Sequence, residues 1–218
     1  MAGEDELRSA TDLALGVLGE QAAGADPSRL VTRLRALERP SGLIGSALNG
    51  TIWATLGGAA AAGRVLFAAI PGVQPVTVVV VATGVALGLR AGVLVGGVAA
   101  LVSNMFFVQG PWTPWQMLAW GGCGAAGALA APLLRRRIPF ALACCVLGFA
   151  FSGLMDLWEW FSFYPHTWAA LTVQLGRGVW FDAAHAAGNV ALALVAGPEL
   201  RRLLDRYGRR LHPEIVWA

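Results

Sequence analysis

Residues 106–122 read FFVQGPWTPWQMLAWGG, and this run separates two long apolar segments. It holds two prolines, three tryptophans and two glutamines within seventeen residues. Proline fixes the backbone φ angle and removes a hydrogen-bond donor, so a helix ends or begins near it. The pattern therefore predicts two apolar helices joined by a rigid, aromatic, amide-bearing loop over 109–114.

The composition around this run is that of a membrane protein. Of 218 residues, 56% are hydrophobic and only 13% are charged, whereas soluble domains average about 25% charged residues. All sixteen basic residues are Arg and stand at the ends of apolar runs, so no nucleic-acid partner is predicted. The three cysteines lack zinc spacing, and we predict no metal, disulfide or cofactor.

Apolar segments predict an all-α polytopic protein with six transmembrane helices. The second segment is short, because its fourteen residues reach only about 21 Å as a helix, against a hydrocarbon core of about 30 Å. It must extend into its flanks or thin the bilayer locally. The segments are 51–70, 76–89, 91–108, 115–134, 138–155 and 178–198.

Arginine positions orient these spans. With the N-terminus inside, fourteen of the sixteen arginines face the cytoplasm, as the positive-inside rule requires. We therefore expect a multi-pass protein of a bacterial plasma membrane with both termini cytoplasmic. Its parts are a cytosolic helical extension (1–49), a six-helix membrane domain (50–198) and a basic cytosolic tail (199–218). The extension lies on the membrane, touches a partner or is a loosely ordered tail, and it carries no signal-peptide pattern.

The outer loops of this topology, 71–75, 109–114 and 156–177, are rich in Trp, Pro, Gln and acids. An interfacial aromatic belt explains many of the tryptophans. The alternative is a stiff pocket wall for a ring-bearing ligand, with aromatic surfaces and amide hydrogen bonds. The candidates for that wall are Gln109, Trp112, Trp115 and Gln116.

Arg64 is a charged residue within the first apolar segment. It either extends to the outer headgroups or faces the helix bundle. In the bundle it would hold an anionic or polar ligand, or pair with an acid. The acids predicted at its depth are Asp156, Glu159 and Asp182.

Asp182, His185 and Asn189 share one face of the sixth helix, because they lie at positions i, i+3 and i+7. Three interpretations stay open: an interhelical hydrogen-bond cluster, a ligand wall, or a metal or proton-relay site. The sequence has no HExxH motif and no Walker A motif. We predict that the chain is not an enzyme.

Small residues recur every four positions in the first span. Ala54, Gly58 and Ala62 form one stripe, and Gly57 and Ala61 form a second. Such stripes let another helix approach closely, either within the same chain or from a partner.

The chain resembles the substrate-specific S components of bacterial energy-coupling factor (ECF) transporters over two runs, AAAAGRVLFAAIPGVQPVT (59–77) and GLRAGVLVGGVAALVSNMFFVQGPWTPWQMLAWG (88–121). The likeness is to a subgroup with an Arg in the first span and a GPWTPWQM-type outer loop. It covers about residues 50–198.

This resemblance implies a six-helix protein that captures a vitamin-like micronutrient outside the cell. It implies partners too: a transmembrane T component and two cytosolic ATP-binding-cassette ATPases. The T component would contact Ala54, Gly58 and Ala62, together with Gly57 and Ala61, and the outer loops would close the site. A long aromatic fifth outer loop departs from the family pattern.

The expected substrate is cobalamin-like or nucleobase-like, since members with related motifs are linked to cobalamin or queuosine-type precursors. The alternatives are a stand-alone transporter or scaffold, or an intramembrane enzyme using Asp182, His185 and Glu159. The expected substrate-binding residues are Arg64, Gln74, Asn104, Gln109, Trp112, Trp115, Gln116, Glu159, Asp182, His185 and Asn189.

Overall fold

A computed structural model of the chain describes residues 42–211, with side chains for 49–208. The helices predicted within the N-terminal extension lie outside this range. The described part is entirely helices and short connections, without strands. Its helices are α1 (Gly42–Leu66), α2 (Val76–Leu87), α3 (Leu89–Phe107), α4 (Thr113–Leu129), α5 (Ala131–Leu134), α6 (Arg137–Phe163), α7 (Trp168–Val195) and α8 (Gly197–Leu211).

Three of these helices are long and apolar enough to cross a membrane, by length and composition: α3, α6 and α7. The predicted class of all-helical membrane protein is therefore supported by the described residues. The predicted fourth span, 115–134, is divided, because α4 ends at Leu129 and the short α5 follows.

The short helix α2 lies at the centre of the core. Valines cover it on all sides, and a helix that is apolar all round is typically buried. Val76, Val80 and Val81 are fully buried, and so are the polar Thr77 and Thr83. The helix has twelve residues and is about 18 Å long. Its neighbours therefore enclose it almost completely.

Glycines allow α4 to pack directly against α2 and α3. A Cβ atom built on Gly84 of α2 would lie 2.0 Å from the carbonyl oxygen of Gly124 in α4. One built on Gly92 of α3 would lie 2.7 Å from the same oxygen. Real Cβ contacts are longer than this, so these backbones touch only because side chains are absent. Gly96 approaches the backbone of Trp120 in the same way.

Arginine-bearing junctions meet at one end of the bundle. Arg201 of α8 donates hydrogen bonds to the carbonyl oxygens of Leu134 and Arg135, each at 2.8 Å. Arg137 donates to the carbonyl of Leu194 at 2.8 Å, joining the start of α6 to the end of α7. These contacts satisfy carbonyls that helix C-termini leave unpaired.

Arg201 is the central residue of this junction. Its guanidinium lies 4.8 Å from the ring centroid of Phe140. Burial lowers the pKa of Arg201, while nearby Asp205 acts in the opposite direction. Leu204, one turn further along α8, is fully buried, and a Cβ atom built on Gly208 would lie 3.3 Å from Cδ2 of Leu87 at the end of α2. The first part of the predicted basic tail is thus a helix packed on the core.

The prediction of a long outer loop over 156–177 is wrong. Helix α6 continues to Phe163 and α7 begins at Trp168, so the connection is four residues long. Thr167 caps α7 by accepting a hydrogen bond from the amide of Ala170. Both helices extend beyond the apolar lengths read from the sequence because polar side chains pair between their ends.

Candidate ligand-binding site

Arg64, near the end of α1, turns into the bundle and not toward the headgroups. Its Nη1 donates to Oγ of Ser103 at 2.7 Å and to Oδ1 of Asn104 at 2.8 Å, both on α3. Its Nε donates to Oε1 of Gln74 at 3.1 Å, in the connection between α1 and α2. The side chain therefore links three segments at one end of the bundle.

Aromatic rings contact the same guanidinium. Cζ of Arg64 lies 4.9 Å from the ring centroid of Phe107 and 5.0 Å from that of Trp120. A cation held over ring faces gains electrostatic stabilisation from their π electrons. Among the described side chains, Arg64 forms no salt bridge, so the pairing with an acid considered from the sequence is not made there.

A cavity of about 230 Å³ opens beside Arg64. Most of the residues that line it are apolar or aromatic, while Arg64 and Gln74 contribute polar side chains. The loop between α1 and α2 covers one side through Pro71 and Gly72. The wall comprises Arg64, Phe67, Ala68, Ile70, Pro71, Gly72, Gln74, Phe107 and Phe181.

Asn104 connects Arg64 to the proline-rich loop. The Asn104 side chain accepts from Arg64 through Oδ1, while its Nδ2 donates to Oγ1 of Thr113 and to Oε1 of Gln116, each at 2.8 Å. Asn104 is 1% exposed, so these bonds are made away from solvent. A fully paired buried network of this kind fixes the geometry of its members.

Gln109 stabilises the proline-rich loop itself. Its Nε2 donates to the carbonyl of Leu101 at 2.8 Å, and its Oε1 accepts from the Thr113 hydroxyl at 2.9 Å. The loop leaves α3 through Val108, which has a φ angle of 73°. A β-branched residue rarely adopts that conformation, and it costs roughly 1–3 kcal/mol. The surrounding hydrogen bonds therefore hold the loop in a strained shape.

His185 holds the cavity loop in place. Because the Gly72 carbonyl can only accept, Nδ1 of His185 is the donor in their 2.7 Å hydrogen bond. In the neutral ring Nε2 is then an acceptor, 3.5 Å from the Thr77 hydroxyl, which itself accepts from Nε1 of Trp120 at 3.3 Å. His185 is 1% exposed. It supports the cavity from behind and does not line it.

A separate polar cluster lies between α6 and α7. Nε2 of Gln174 donates to Glu159 at 3.0 Å and to Asp156 at 3.4 Å, and Asp182 is an electrostatic neighbour of Asp156. The Asn189 amide is fully buried and has no hydrogen-bond partner among the described residues. No group of three or more metal-ligating side chains occurs in the described part of the chain.

The predicted site residues therefore fall into four sets. Arg64 and Gln74 line the cavity, while Asn104, Gln109, Gln116 and His185 brace it through hydrogen bonds. Glu159, Asp182 and Asn189 belong to the α6–α7 interface. Trp112 packs edge-on against Trp158 with centroids 6.3 Å apart, and Trp115 is exposed; within the described residues, no contact brings either of them to Arg64.

The tryptophans of the predicted aromatic belt include both exposed and buried residues. Trp168 and Trp180 are 83% and 84% exposed, as belt residues would be. Trp120 is fully buried and stacks on Phe151 with centroids 4.4 Å apart. It is a core residue that also contacts Arg64.

Several residues of the site were not predicted from the sequence. Ser103, Thr77 and Thr113 bond to predicted site residues, and Phe107 and Phe181 line the cavity. The position of Ser103 directly before Asn104 in an apolar helix was the available signal. Nothing in the local sequence distinguishes Phe181 from the other aromatic residues near it.

The two small-residue stripes of α1 have different surroundings. Gly57 and Ala61 are buried, with Gly57 against Val98 of α3. Ala54 and Ala62 are exposed, and a Cβ built on Gly58 would meet nothing within 4 Å. One stripe therefore serves internal packing, while the other forms a smooth open surface.

Comparison of the chain with family models, with curated proteins and with solved structures finds no match in any of the three.

Proposed function

We propose that this chain is the substrate-capture S subunit of an ECF-type importer. The observation that carries the proposal is the cavity of about 230 Å³ that Arg64 lines. In this proposal six helices cross a bacterial plasma membrane, and both termini are cytoplasmic. The cavity then opens to the outside, at the end of the bundle away from the arginine-bearing junctions.

The bracing of the cavity supports capture in one geometry. Asn104 ties Arg64 to the loop before α4, and His185 ties the loop before α2 to α7. Ligand sites gain affinity when their polar groups are held in place before the ligand arrives. Rigid attachment of both loops therefore suits a protein that binds a scarce nutrient tightly.

The open stripe of α1 supplies a surface for the T component. Ala54, Gly58 and Ala62 present little side-chain bulk to their surroundings, and small residues allow close helix contact within a membrane. Since the sequence has no Walker A motif, ATP hydrolysis belongs to two partner ATPases. The chain itself performs no chemistry in this proposal.

The cavity volume favours the smaller of the two substrate classes. At about 230 Å³ the cavity lies below the roughly 300–1,000 Å³ of clefts that hold drug-sized ligands, so it suits a small ligand. A nucleobase-like micronutrient is of that size, whereas a cobalamin-like one is several times larger. We therefore propose a nucleobase-sized substrate.

Native mass spectrometry of the detergent-purified protein, expressed in its own or a related host, tests capture directly. We expect one small molecule bound per chain, and its mass would identify the substrate. An apo spectrum that persists after soaking with vitamins and nucleobases would contradict the proposal.

Affinity purification from the same host tests the partners. We expect a T component and two ATPases to co-purify with the tagged chain. Ligand uptake into vesicles that contain this chain alone would instead identify a stand-alone transporter.

A further inference from the structure

We propose that the substrate carries a single carboxylate, attached to a small ring, and that this carboxylate binds the Arg64 guanidinium. The inference rests on the proposed capture function and adds the chemical class of the ligand. It depends on three features of the cavity: the hydrogen-bond donors left on Arg64, the charge of its surroundings, and the character of the walls.

The donors of Arg64 are only partly used. Nε bonds to Gln74, and the two N–H groups of Nη1 match the two acceptors Ser103 and Asn104. Nη2 has no hydrogen-bond partner among the described residues, so both of its N–H groups remain for a ligand. A carboxylate accepts such donors at short distance and binds them more strongly than a neutral oxygen does.

The surroundings of Arg64 lack a compensating charge. Its three hydrogen-bond acceptors are neutral amide and hydroxyl oxygens. Removing a charge from water is costly unless an opposite charge accompanies it. Because no described carboxylate forms a salt bridge with Arg64, an anionic ligand would supply the missing partner.

The residues that line the cavity limit the charge, shape and size of the ligand. Among the described residues, Arg64 is the only cationic one that lines the cavity, so the site matches one negative charge and not a polyanion. The aromatic side chains of Phe67, Phe107 and Phe181 suit a ring, which gains by packing against them. At about 230 Å³ the cavity has room for a compact single-ring acid.

Matched pairs of probes separate charge from shape. Benzoate with benzamide, and nicotinate with nicotinamide, differ in charge but hardly in size. We would measure the melting temperature of the detergent-purified wild-type protein with each probe at equal concentration, because a ligand that binds the folded state raises it. At least one acid should raise the melting temperature and its amide should not. Equal shifts within both pairs, or no shift with either acid, would overturn the inference.

Substitutions then assign the effect to Arg64. Arg64→Gln should weaken acid binding at least tenfold, on the order expected for a lost charge-assisted hydrogen bond, whereas Arg64→Lys should keep part of it. Arg177→Gln is the matched control, since Arg177 is exposed and, among the described residues, its side chain bonds only to Tyr164. Acid binding that is unchanged in Arg64→Gln would also overturn the inference.

Gln74→Glu gives a second test that does not remove Arg64. The substitution keeps the acceptor for Nε of Arg64 and adds a carboxylate beside the guanidinium. We expect a folded protein in which this internal ion pair abolishes acid binding. Retained acid binding would contradict the inference.

Other outcomes distinguish a carboxylate from another anion, and distinguish this inference from the proposed capture function. Inorganic phosphate that stabilises the protein more than the acids do would overturn the carboxylate assignment. A neutral molecule found by native mass spectrometry would overturn this inference but leave capture standing. Acid binding without any co-purifying T component or ATPase would overturn the importer assignment and leave the anion site standing.

Discussion

Gly57 and Gly58 are consecutive in α1 but meet different surroundings. A Cβ atom built on Gly57 would lie 2.5 Å from Cγ1 of Val98, whereas one built on Gly58 would meet nothing within 4 Å. A substitution at Gly57 therefore tests the internal packing of the chain, whereas a substitution at Gly58 tests its contact with a partner.

Gly58→Leu should leave the folded protein intact and block its association with the T component, because the new side chain extends into open space. Gly57→Leu should instead destabilise the fold by clashing with Val98. Melting temperature and co-purification of the partner would be measured for both variants. Normal co-purification of the Gly58→Leu protein would remove α1 as the interface.

Gly84→Ala should lower the melting temperature by about 2–12 °C, since overpacking typically costs about 1–3 kcal/mol and each kcal/mol shifts the melting temperature of a protein of this size by about 2–4 °C. The added methyl would lie 2.0 Å from the Gly124 carbonyl oxygen, and a backbone atom cannot rotate away. Gly153→Ala is the control, because a Cβ there meets nothing within 4 Å. A melting temperature equal to that of the control would show that α2 and α4 are further apart.

Gly72→Ala should weaken ligand retention, because its Cβ would lie 2.9 Å from that of Ala184 and the cavity loop would be displaced. Gly88→Ala is the matched control. Both glycines have positive φ angles, 76° and 89°, but the space around Gly88 is open. A side chain at positive φ costs on the order of 1–3 kcal/mol, and only at Gly72 does the new Cβ also meet neighbouring atoms.

Retention of the bound molecule would be followed by native mass spectrometry in both proteins. Equal retention by Gly72→Ala and Gly88→Ala would mean that the close approach of the loop to α7 does not shape the site.

Arg201→Gln should destabilise the protein by about 1.5–3 kcal/mol, through the loss of charged hydrogen bonds to the carbonyls of Leu134 and Arg135. Arg202→Gln should cost at most about 1 kcal/mol, because Arg202 forms only an exposed ion pair with Glu199. Denaturation of both variants in detergent gives the comparison. Similar losses would indicate that α8 is not anchored through Arg201.

The helical core could be predicted from the sequence because apolar runs and arginine positions mark it locally. Arg64 stood out as a charge in such a run, and Gln74 as an amide in the loop that follows. The ends of α6 and α7 could not be predicted in this way. Their aromatic and acidic residues resemble a loop, and only the pairing of Gln174 with Asp156 and Glu159 shows why the helices continue.

The role of each residue within the site also depends on tertiary structure. Gln109 and Gln116 have the same side chain and flank the same prolines, yet Gln109 stabilises the loop while Gln116 bonds to Asn104. His185 shares a helix face with Asp182 and Asn189, but its hydrogen bonds go to Gly72 and Thr77. Helical spacing shows which residues share a helix face, but it does not show which elements pack against that face.

The central helix also affects how the chain enters the bilayer during synthesis. At about 18 Å, α2 is much shorter than the hydrocarbon core of about 30 Å. Its polar backbone ends would be unprotected if it were released into lipid alone. The helices that enclose it, α3, α4 and α8, are all translated after it. We therefore expect the translocon to retain α2 until α4 emerges, so that the first half of the bundle partitions into lipid as a unit.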